Sequence, residues 1–173
     1  MKPKQKVVLY LSLFFIAALS LVAYGFYAET TKVIEFEEFS VEVPVETEIE
    51  NITNEYKSNY DFITVYRAKN IDLTISSFDK QYIENTYSSN TGEEIDFGKS
   101  VLENLNNFNN PKINKSSENI TFYISNTRVD GQIDCDVAGV YNDDNHFIIV
   151  EGGDVELIEK ITNSIKINDN YNN

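Results

Sequence analysis

The sequence predicts an α+β chain: an N-terminal transmembrane helix, then one domain built on an antiparallel sheet of about five to six strands with two main helices. Three observations predict it. The 22 residues Val7–Ala28 contain no Asp, Glu, Lys, Arg or His. Short segments downstream alternate apolar and polar residues and are joined by turns too short for parallel crossovers. Two other segments carry apolar residues at helical spacing.

As a helix, the apolar run spans about 33 Å, enough for a bilayer core. Tyr10 near its start and Tyr24, Phe26 and Tyr27 near its end suit the two aromatic belts. Lys2, Lys4 and Lys6 precede it, which favours a cytoplasmic tip (1–6), an anchor (7–28) and an extracytoplasmic domain (29–173). A cleaved signal is the competing reading, because Ala23-Tyr24-Gly25 places small residues at −3 and −1 of a cleavage site. Both readings put the domain outside, as a single-pass membrane protein or a released one. Residues 29–32 leave little linker, so an anchored domain sits close to the bilayer.

In the domain, Phe39, Val41 and Val43 alternate with Ser40 and Glu42 until Pro44, which cannot donate to a ladder. Ile34 and Phe36 have the opposite parity, so Glu37-Glu38 marks a bulge or tight turn. Residues 45–60 read as a loop or weak helix. Phe62–Tyr66 and Ile71–Ile75 read as a hairpin around Ala68-Lys69-Asn70, with Ile71, Leu73 and Ile75 inward. Residues 79–92 are polar and partly irregular. A helix follows, with Thr91 and Glu94 as a capping box and Ile95, Val101, Leu102, Leu105 and Phe108 on one face. Asn109-Asn110-Pro111 stops it.

A meander closes the sheet. Ile120, Phe122 and Ile124 form its first strand, and Asp130-Gly131 turns the chain. Ile133, Cys135, Val137, Gly139 and Tyr141 alternate with Asp134, Asp136 and Ala138. Asn142-Asp143-Asp144-Asn145 makes the next turn, and Phe147–Val150 is a continuous buried run. Gly152-Gly153 leads to a helix from about Asp154 to Ile167, with Asp154 as N-cap and Val155, Ile158, Ile161 and Ile165 as its apolar stripe. The two helices are expected to cover one face of the sheet.

The F-x-V-x-V-P strand Phe39–Pro44, the hairpin, helix and meander, and the E-L-I-x-K-I-x-x-S-I helix Glu156–Ile165 together resemble the PsbP/Mog1-type α/β sandwich of small exported or membrane-anchored proteins. The resemblance spans most of residues 33–167. It implies a domain that binds partners and assists assembly without a catalytic site, and it carries no functional residue over to this chain.

The whole chain has a formal net charge of −14. Every one of its 28 acidic residues lies at or beyond Glu29, so with the three lysines set aside 11 basic residues face 28 acidic ones and the domain carries −17. Such a domain repels phosphates, which excludes a nucleic-acid partner. One Cys excludes an internal disulfide framework and a Cys-rich zinc site, and one His excludes any site that needs two. Asp130, Asp134 and Asp136, with Asp143 and Asp144 nearby, are the candidate metal ligands, for Ca²⁺ if any cation, since hard cations need convergent oxygens. The alternative is a solvated polar strand face. Cys135 and His146 form a conceivable nucleophile–base pair, against which stands the core parity of Cys135. Gly152-Gly153 lacks the Lys and Ser/Thr of a phosphate loop. Asn51, Asn114 and Asn119 open N-x-S/T sequons, compatible with export.

No catalytic residue and no cofactor site is singled out. The expected function is a non-catalytic, membrane-anchored extracytoplasmic binding or assembly module of the cell envelope, acting on an unidentified protein or envelope partner. The alternatives are an envelope-polymer hydrolase using a carboxylate pair and a Ca²⁺-dependent adhesion module.

Overall fold

In a computed structural model of the chain, residues 30–56, 61–87, 96–106, 108–129 and 132–168 are described; for Tyr87, 126–129 and 132–135 the description covers the backbone alone. The elements run β1 (Thr31–Glu35), β2 (Phe39–Pro44), β3 (Ile49–Asn51), α1 (Thr53–Tyr56), β4 (Ile63–Ala68), β5 (Thr74–Phe78), α2 (Lys80–Tyr87), α3 (Phe97–Leu105), β6 (Lys112–Ser116), β7 (Ile120–Val129), β8 (Gln132–Asn142), β9 (Phe147–Gly152), α4 (Val155–Asn163) and β10 (Lys166–Ile167). The class is α+β with antiparallel pairing, as expected, but the strands form two sheets. One has the order β1-β2-β10 and the other β3-β4-β5-β9-β8-β7-β6. Among the described residues no helix is long and apolar enough to cross a membrane; the 7–28 run lies outside them.

The β4–β5 hairpin joins the β6–β9 meander through β5 and β9, with Thr74 opposite Glu151 and Phe78 opposite Phe147. This central position explains why Phe147–Val150 is apolar without a break. Each of the four is 0 % exposed, and alternate residues feed opposite faces. Ile148 and Val150 pack with Phe39, Val41, Val43, Ile75, Val137, Ile158 and Ile161. Phe147 and Ile149 pack with Phe78, Ile83, Val101, Leu102, Ala138 and Val140. Burying each such side chain contributes about 1.5–3 kcal/mol.

Those two cores correct one expectation. The capped helices do not share a face: α4 and the small sheet cover one side, and α3 with α2 covers the other. Helical periodicity shows that a stripe exists but not which sheet face it meets. Ala138, assigned by parity to the polar side with Asp134 and Asp136, is fully buried under α3.

Local chemistry places the termini. Phe36 N–H donates to Phe39 O at 2.8 Å, closing the β1–β2 turn at Glu37-Glu38. Asp154 caps α4 by accepting from Leu157 N at 3.1 Å. The helix ends at Asn163 rather than near Ile167, with Ser164 as C-cap. Lys166 and Ile167 then pair with Ser40 and Phe39 of β2, because the open edge of β2 offers the backbone bonds that another helical turn would have supplied. α3 is capped by Asp96, whose carboxylate accepts from Lys99 N at 3.0 Å; Thr91 and Glu94 lie outside the described residues. Two polar segments gave no strand or helix signal, α2 and the wholly exposed edge strand β6; within 45–60, read as a loop or weak helix, Ile49–Asn51 is instead the strand β3 and Thr53–Tyr56 the short helix α1. Lys112 and Lys115 and a register shift between Ile113 and Lys115 mark β6 as a protected edge.

Candidate functional site

Phe62 and Ile63, at the start of β4, border two concavities. The smaller lies between the sheet and the end of α3. Glu151 follows the buried run and shares the face of Phe147 and Ile149. It stands opposite Ala138 on β8 and Thr74 on β5. Asn106, the C-cap of α3, donates through Nδ2 to Glu151 Oε2 at 2.8 Å, while its own Oδ1 is buried with no hydrogen-bond partner. Both residues line a cavity of about 170 Å³ with Tyr56, Phe62, Ile63, Val65, Thr74, Ser76 and Leu105. Part of Glu151 remains exposed, but burial of its carboxyl pushes the pKa up to about 7; the Asn106 amide opposes this, and the negative charges of Asp136 and Asp72 add to it.

The larger concavity, about 390 Å³, lies beside the β1–β2 turn. Phe36 stands between Phe39 and Tyr66, with ring centroids 4.7 and 4.3 Å away. Phe62, stacked on Tyr82 at 4.1 Å, forms another wall. Glu37, Glu38, Asp61 and Asp79 also line it, with Lys80. Glu38 accepts from Ser77 Oγ at 3.0 Å, and Asp79 caps α2 through Tyr82 N at 3.0 Å. Burial, then Glu37 and Glu38, raise the Tyr66 phenol above its ordinary range. Aromatic faces beside carboxylates suit a cationic or basic guest.

No protein-family model matches this chain, and no curated protein matches it.

Of the candidate metal ligands, Asp130 and the Asp134 side chain lie outside what is described. Asp136 stands opposite Ser125 on the α3 side of β8. Among the described residues no group of three or more His, Cys, Asp or Glu is placed to hold a metal ion. Asp136 is a diagonal neighbour of Glu151 on one face, but Glu151 lines the cavity and Asp136 does not. The two therefore do not flank a shared space in the way a carboxylate pair acting on a polymer must.

The backbone separates Cys135 from His146. His146 immediately precedes β9 at the Asn142–Phe147 end of the β8–β9 ladder, and Cys135 is seven residues back along β8, roughly 23 Å away. Asp143 instead organises the turn. It accepts from Asn145 N at 2.9 Å, His146 N at 2.7 Å and Tyr141 Oη at 2.9 Å, and lies 2.9 Å from His146 Nδ1. Burial pushes its pKa up, but these bonds together outweigh burial and hold it below the ordinary value. Asp143→Ala is expected to cost about 1–2 kcal/mol in urea denaturation at pH 7, as loss of a capping carboxylate does. The difference should shrink as pH falls through the folded pKa of Asp143, because its stabilisation exists only above that value. An unchanged midpoint at pH 7 would contradict this role.

Gly152-Gly153 serves packing. A Cβ on Gly152 would lie 2.3 Å from Asp72 O, and Gly153 N donates to Asp72 Oδ2 at 2.8 Å. Sequence reasoning did not single out Glu151 and Asn106. The available signal was a carboxylate joined directly to a four-residue buried run.

Proposed function

We propose that the chain is a membrane-anchored, extracytoplasmic, non-catalytic binding or assembly module whose larger groove seats a basic, aromatic-containing segment of an envelope partner. The observation that carries this reading is the groove's combination of an aromatic floor and a carboxylate rim at one end of the domain. β1 begins at Thr31, three residues after the apolar run ends, and the Glu37-Glu38 turn lies at the other end of that strand, roughly 17 Å along. An anchor at 7–28 would thus leave the groove facing away from the bilayer. The domain charge of −17 attracts a basic partner and keeps the surface off anionic headgroups at low salt. The resemblance to the PsbP/Mog1-type sandwich supports the same reading.

The test has two parts. On intact cells or spheroplasts, an impermeant protease should remove the domain while an N-terminal tag stays protected and membrane-bound after carbonate washing. A protected domain or a washed-off chain would overturn the anchor. On the full-length chain in micelles, binding of a Lys/Phe-containing peptide should weaken roughly tenfold in the E37K/E38K/D61K variant at low salt. A charge-matched E103K/E156K/E159K variant should change it much less. Equal losses would reduce the groove to general electrostatic attraction and end the proposal.

A further inference from the structure

We propose that the smaller cavity, between the end of α3 and the face of β4, β5 and β9, is a binding site for a small organic ammonium ion, with Glu151 as its counter-charge and Asn106 as a neutral acceptor. This does not rest on the groove reading, since a different set of polar groups carries it.

Size, polarity and charge agree. A volume of about 170 Å³ holds roughly five to six water-sized groups at about 30 Å³ each, room enough for butylammonium with its four carbons and one nitrogen. Phe62, Ile63, Val65 and Leu105 supply an apolar wall for the alkyl body. Glu151 and Asn106 supply oxygen, and the buried Asn106 Oδ1 is an acceptor still lacking a donor. An ammonium group brings three donors and no acceptor. α3 ends in this cavity at Leu105 and Asn106, so the negative end of a nine-residue helix also favours a cation there.

The charged surroundings select against anions. Asp136 on β8 and Asp72 in the β4–β5 loop both act on Glu151; Arg67 on β4, next to Thr74, donates to the Tyr56 hydroxyl at 3.5 Å and brings one positive charge to the α1 side, and Thr74 and Ser76 on β5 add only hydroxyls. Without a cation, burial keeps the Glu151 proton on until about pH 7. A bound ammonium favours the carboxylate, so binding below that pH releases one proton from Glu151 to solvent and tightens as pH rises.

The experiment is calorimetry on the full-length chain in detergent micelles with butylammonium, 1-butanol and butyrate. Butylammonium should give saturable heat with an affinity of about millimolar order. The affinity should rise roughly tenfold between pH 5.5 and 6.5 and level off above about 7. Butanol and butyrate should give no saturable heat, and Glu151→Gln should remove the butylammonium signal while leaving the circular dichroism of the domain intact. Equal binding of butanol, equal binding by Glu151→Gln, or no saturable heat would overturn the proposal and leave the cavity to water. Should Glu151→Gln fail to fold, the native protein still decides: an affinity that does not change with pH overturns the assignment.

Discussion

Replacing Gly139 by alanine will lower the melting temperature of the full-length chain by roughly 10 °C, a loss of about 3 kcal/mol. Gly139 lies in β8 opposite Val150, where α4 crosses the sheet. A Cβ built there meets Thr162 Oγ1 at 2.1 Å, Cγ2 at 2.7 Å and Cβ at 2.8 Å. Thr162 cannot swing aside. It is fully buried, branched at Cβ, and tied through Oγ1 to Ile158 O at 2.7 Å. The added methyl must push α4 outward, away from the core into which Ile158 and Ile161 insert. Thr162→Ala in the Gly139→Ala background removes the two side-chain atoms beyond Cβ but leaves the contact at Cβ. The double variant should recover part of the loss, with a measurable coupling between the sites. A Gly139→Ala protein with an unchanged melting temperature would show that α4 does not pack as described.

Glu151→Gln will make the protein more stable at pH 8 by about 3 kcal/mol and leave its stability near pH 4 almost unchanged. The sign follows from a carboxyl pKa raised on folding, from 4.5 to about 7. Below 4.5 both folded and unfolded chains hold the proton, so the group costs nothing. Between 4.5 and about 7 the unfolded chain has released it while the folded chain retains it, and stability falls steadily. Above about 7 both are ionised, and the folded chain carries a desolvated charge beside Asp136 and Asp72. Glutamine keeps an oxygen for the Asn106 Nδ2 donor and removes the charge. Urea denaturation of both proteins from pH 4 to pH 8 provides the comparison. Parallel stability curves would mean that Glu151 is solvated in the folded state.

Much of the fold was legible where local chemistry and burial agree. Phe39, Val41 and Val43 are as buried as their alternation requires. Asp154 caps α4, and Asp143 closes the turn that Asn142–Asn145 announced. β3 and β6 were not legible, because an edge strand needs a partner's backbone more than any side-chain pattern. β6 is exposed at every position and is held by pairing with β7. β10 was read as helix because Ile165 continues the α4 stripe; the open edge of β2 decided otherwise. The candidate site was the least legible part. Glu151 and Asn106 are 45 residues apart and meet through one 2.8 Å bond that no local pattern encodes.

By itself the sequence determined the partition of charge, with three lysines before an uncharged run and every carboxylate after it, together with the strand parities, caps and turns. These follow from interactions between residues a few positions apart. The tertiary structure decided which helix covers which sheet face and that β5 joins β9. It also decided that a carboxylate at the end of a buried strand meets the end of α3 at the wall of a small cavity. Those outcomes depend on contacts between residues distant in the chain. Periodicity constrains the face a residue presents, whereas its partner is chosen by packing the whole domain.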